Sequence, residues 1–72
     1  MLRGTRVGVV HRIQPVSIHG QVSLDVFWMA PDDPDPEIRH ARVGPESTPR
    51  DLSVGDTVTF HYVMGQVTAI TR

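Results

Sequence analysis

Cysteine is absent from the 72-residue chain, so neither a disulfide nor a thiolate metal site can staple it. Lysine is absent too: all seven basic residues are arginine, whose planar guanidinium suits bidentate contacts to phosphate or carboxylate. No apolar run approaches the roughly 20 residues needed to span a bilayer as a helix. The segment Met1–Val10 also lacks the apolar stretch and small-residue cleavage site of a secretory leader. These absences give the expectation of a cytoplasmic chain with no membrane partner. At this length one domain, residues 1–72, buries only about 60% of its unfolded surface. Tight packing or self-association is then the remaining source of stability, which leaves a homodimer open.

Charge is nearly balanced, at −1 overall, which argues against a strongly basic nucleic-acid binder. Its distribution is uneven. Pro31–Glu37 holds four of the eight acids, so the remainder carries seven arginines against four acids. A charge run of this kind reads as a solvated loop. The sharper reading is a basic body with an acidic arm, able to meet a polyanion on one side.

The polar–apolar pattern is that of strands. Arg3–Ile13 reads as a first strand, with Gly4 and Gly8 as places for a bulge, and Gln14–Gly20 as a loop in which Pro15 breaks the ladder. Gln21–Met29 alternates most clearly: Val22, Leu24, Val26 and Trp28 form the core row, and Ser23, Asp25, Phe27 and Met29 face the other way. Ala30–Pro36, with three interleaved prolines, is a stiff exposed loop. Glu37–Val43 reads as a third strand with Ala41 and Val43 inward and Ile38, His40 and Arg42 outward, since burying His40 and Arg42 without partners would be costly. In the following connection Ser47 or Thr48 is the expected cap of a short helical turn starting at Pro49. Leu52 and Val54 are placed as a plug. A turn at Gly55–Asp56 launches a fourth strand with Val58, Phe60 and Tyr62 on one face, and Gly65 reverses the chain into a fifth.

The predicted fold is therefore all-β: a small five-stranded OB-like barrel with a Pro/Asp loop between strands 2 and 3 and a short helical turn between strands 3 and 4. An SH3-like barrel is the rival architecture. Gly4-Thr-Arg-Val7 in the first strand and Gly55-Asp56-Thr57-Val58 opening the fourth resemble the small OB domains of the S1 and bacterial translation initiation factor one type. That resemblance implies an OB fold and a surface for single-stranded nucleic acid. Those families are usually basic and lysine-rich, and this chain is neither.

Little in the sequence points to catalysis or metal. His11, His19, His40 and His61 fall in no ligand spacing, and the serines lack a nucleophile-elbow context. The expectation is no enzyme, no metal and no cofactor. The outer face of strands 2 and 3 is the better candidate, because Phe27 is an aromatic on the polar parity of its strand. Bases would stack on Phe27 with His40 as a second ring, and Arg39, Arg42, Arg6 and Arg12 would hold phosphate. Two functions follow: a non-catalytic module for single-stranded RNA or DNA, or a protein-interaction or self-assembly module using the same patch or a strand edge.

Overall fold

A computed structural model describes residues 3–32, 34 and 37–72. The chain forms five antiparallel strands, β1 (Arg3–Ile18), β2 (Gln21–Met29), β3 (Arg39–Val43), β4 (Thr57–Val63) and β5 (Gln66–Thr71), in the sheet order β3-β2-β1-β4-β5. All-β is therefore established, and the order is compatible with an OB-like topology. Among the described residues the sheet does not close. β3 and β5 approach each other from the two ends of the order with no hydrogen-bonded ladder between them among the described residues, so the expected barrel is not established.

β1 organises the sheet. At a rise of about 3.3 Å per residue its 16 residues would span roughly 50 Å if straight. The molecule's longest dimension is 39 Å, so the strand must bend. It does so where it changes partners. Arg3–Val9 pairs with β4, Val9–Ile18 pairs with β2, and the register slips between Val10 and Arg12. At that point Val10 leaves the β4 ladder: its N–H donates to the Asp56 carbonyl (2.9 Å) and its carbonyl accepts from Gly55 N–H (2.8 Å). His11 is the extra residue, so Gly8 and Val10 face the core before it and Ile13 faces the core after it, opposite Val26. The bulge sits at His11, not at Gly4 or Gly8.

Gly8 serves packing instead. A Cβ there would overlap Trp28 Cε3 and lie 2.8 Å from Phe60 Cε2. Its absence lets the Trp28 and Phe60 rings stack at 4.0 Å and 16°, both fully buried. Val10, Val26, Ala30, Val43, Val58 and Ile70 complete the core, and Leu24, Leu52 and Tyr62 pack at its margin.

Several boundaries differ from the sequence reading. β1 continues through Pro15, which pairs with Leu24. Beyond Val10, among the described residues, the strand pairs only on the β2 side, and an edge without a partner tolerates the missing N–H. Gln14–Ile18 is thus strand, and the reversal shrinks to His19–Gly20. β3 begins at Arg39, two residues after the expected Glu37. The helical turn is a 3₁₀ segment at Pro45–Ser47 with Gly44 before it. Pro45, not Pro49, supplies the preset φ of its first position. Val22 and Val54 are exposed, at the outer end of the β1–β2 hairpin and in the β4 approach, so neither joins the core. The acidic loop runs from Ala30 toward β3; Asp33, Asp35 and Pro36 lie outside the described residues.

Candidate functional site

The outer face of β1, β2 and β3 is built in rows fixed by register. Arg12 pairs with Phe27 and Phe27 with His40, which makes one row across three strands. The next row is Gln14, Asp25 and Arg42. The bulge at His11 is what brings Arg12 into the first row; unbulged, it would share the inward parity of Val10.

Phe27 is half-buried between its two neighbours. Its ring centroid is 5.0 Å from that of His40 with the planes tilted by 31°, and the Arg12 guanidinium carbon lies 5.9 Å from the Phe27 centroid. The arrangement offers a π surface edged by cationic and imidazole groups, suited to stacking and to cation–π contact.

Asp25 is the residue the sequence reading did not single out. It stands on the outward parity, yet it is buried, at 9% exposure. Arg42 explains how. Its Nε donates to Asp25 Oδ1 (2.8 Å) and its Nη2 to Oδ2 (3.2 Å), and His40 Nε2 lies 3.2 Å from Oδ1. A carboxylate gripped in this bidentate way stays charged despite burial. The Arg42 hydrogen bonds, reinforced by His40 and opposed by desolvation, hold the Asp25 carboxyl at about 2. The cluster fixes the directions of His40 and Arg42 through one shared anion.

Four of the six residues singled out from the sequence, Arg12, Phe27, His40 and Arg42, therefore meet on one face. Arg39 and Arg6 do not join them. Arg39 pairs with Trp28 on the inward parity of β3, the parity of Ala41 and Val43, and its guanidinium carbon lies 5.8 Å from the Trp28 ring centroid. Arg6 pairs with Phe60 and borders a surface hollow with Pro31 and Asp32. Arg39 thus lies over a core ring instead of joining the outer face. Strand parity was the available signal for Arg39, because placing Ala41 and Val43 inward places Arg39 inward as well.

Elsewhere, His61 Nε2 lies 2.7 Å from Thr71 Oγ1 on β5. His19 occupies the β1–β2 turn and His11 the bulge. Among the described residues, no three His, Asp or Glu side chains converge as metal ligands. Nor, among those residues, is any helix long and apolar enough to cross a membrane. A separate ionic cluster ties Arg72 to the β4 approach: it donates to Asp51 Oδ1, to Asp51 O (3.0 Å) and to Asp56 Oδ2 (2.9 Å). Asp56 Oδ2 also accepts from Ser53 N–H (2.9 Å), so this clip closes the turn that launches β4.

No family model, curated protein or solved structure matches this chain.

Proposed function

We propose that this protein is a non-catalytic module that binds single-stranded nucleic acid on the outer face of β1, β2 and β3. One observation carries the reading: Arg12, Phe27 and His40 form a continuous row of cation and rings across three adjacent strands. A sequence-tolerant single-strand binder needs a π platform for bases and guanidinium groups for the backbone. Phe27 and His40 supply the platform. Arg12 and Arg42 supply the backbone contacts, with Arg42 pre-oriented by Asp25. Arg6 and Arg39 are left out of this assignment by their inward parity. The reading requires no cofactor.

Phe27→Ala is the test. It should weaken oligonucleotide binding by on the order of 1–3 kcal/mol, the usual worth of one stacked base. Phe27 is only half-buried, so the far-UV circular dichroism should be retained. Anisotropy titration of a labelled single strand reads the effect; unchanged affinity in a folded variant rules out this site.

A second reading has its own support. Among the described residues β3 and β5 each leave one edge without a ladder partner, and such edges invite strand addition from another chain. Self-association through them would appear as a concentration-dependent sedimentation coefficient that Phe27→Ala leaves alone.

A further inference from the structure

The row that holds Phe27 lies between two rows of opposite chemistry. Outward side chains on β2 recur every second residue, so Met29 and Asp25 stand roughly 7 Å to either side of Phe27. On the Met29 side the surface is aliphatic: Val9 pairs with Met29, and Ile38, in phase with His40 and one residue ahead of β3, is 53% exposed. On the Asp25 side it is polar, with Gln14, Asp25 and Arg42 in register. Arg42 uses Nε and Nη2 on Asp25, which leaves Nη1 as a further donor.

A base stacked on Phe27 therefore has one apolar flank and one hydrogen-bonding flank. Pyrimidines are divided in the same way. Their C5–C6 edge carries no hydrogen-bonding group, and the opposite edge carries ring N3 between the exocyclic groups at C2 and C4, both of them carbonyl oxygens in thymine and uracil. Purines present polar atoms on both long edges, N7 with O6 or N6 on one and N3 on the other. Among pyrimidines only thymine extends the apolar edge, by its 5-methyl group. We propose that this face selects thymine, seating the 5-methyl group on Val9, Met29 and Ile38 and turning the carbonyl edge toward Gln14 and Arg42. The inference rests on the nucleic-acid reading above and adds to it the identity of the base.

Three labelled twelve-nucleotide deoxy strands, oligo-dT, oligo-dU and oligo-dA, share one backbone and test the inference by anisotropy at low salt. Oligo-dT should bind about fourfold tighter than oligo-dU, the fold-change that corresponds to about 0.8 kcal/mol for one buried methyl group. Oligo-dA should bind more weakly than both. Ile38→Ser, at an exposed position, should bring oligo-dT down toward oligo-dU and leave oligo-dU unchanged. Equal binding of oligo-dT and oligo-dU overturns the inference while the nucleic-acid reading stands. A dT preference untouched by Ile38→Ser shows that the methyl group sits elsewhere and equally overturns it. Failure of all three strands to bind removes the nucleic-acid reading itself.

Discussion

Asp25 shows how a single side chain can link the stability of this fold to the shape of its surface. Its carboxyl, held at about 2 by Arg42 and His40 against an ordinary value of 3.8, favours the folded state whenever it is ionised. Because the folded value is the lower one, that contribution is complete above about pH 4 and is lost as pH falls toward 2. Asp51 and Asp56 are also held down, chiefly by hydrogen bonds from Arg72, and they titrate in the same sense. Urea midpoints followed by Trp28 fluorescence should therefore fall between pH 4 and pH 2, and Asp25→Asn should flatten part of that fall. An unchanged pH profile in the variant would mean that the Asp25–Arg42 pair adds nothing to stability. From sequence alone Asp25 was invisible, since an aspartate on the polar parity of a strand looks solvated. Only cross-strand register reveals that Arg42 and His40 stand beside it.

At the scale of elements, both two-residue reversals put a side chain in the left-handed region: His19 (φ 50°) before Gly20 (φ 78°), and Met64 (φ 52°) before Gly65 (φ 81°). Two successive positive φ values match the right-handed twist of a hairpin, and asparagine is the favoured first residue there. Met64 is 74% exposed, so its side chain contributes little that would offset the backbone cost. Met64→Asn should raise stability by roughly 0.5–1 kcal/mol, read as a higher urea midpoint at constant slope; a lower midpoint would show that Met64 packs usefully. The strands themselves were legible because β2 and β4 alternate cleanly, and the Ala41–Val43 parity of β3 followed from the cost of burying His40. Pro15 was misleading, because its effect depends on whether a neighbour lies on its N–H side, which no local pattern records. Val22 was misleading in a different way: it keeps the core parity of β2 but lies beyond the end of the core.

For the whole molecule, charge decides how strongly any polyanion could be held. The net charge of −1 supplies no long-range attraction, and on the proposed face Asp25 offsets one of the two arginines. Few phosphates can then be neutralised. A single-strand contact loses affinity with a logarithmic salt slope of about −0.7 per phosphate. This protein should show a slope between about −0.7 and −1.4, corresponding to one or two phosphates. A slope steeper than about −3 would place binding on a more basic surface than the Phe27 row. The open edge between β3 and β5 belongs to the same scale. Five strands were readable from turn spacing, whereas closure depends on long-range pairing of β3 with β5, which no local pattern records.

That slipped residue has a consequence for how the chain tolerates change in length. Every outward residue of β1 beyond Val10, and with it the Arg12 end of the Phe27 row, owes its side of the sheet to His11 standing outside the ladder. Drawn into the ladder, His11 would send Arg12 and Gln14 toward the core and Ile13 toward water. Loss of its codon would instead leave Val10 and Arg12 consecutive opposite Trp28 and Phe27, so every side chain would keep its face and only the bulge would go. The proposed surface therefore tolerates the deletion of position 11 better than its regularisation.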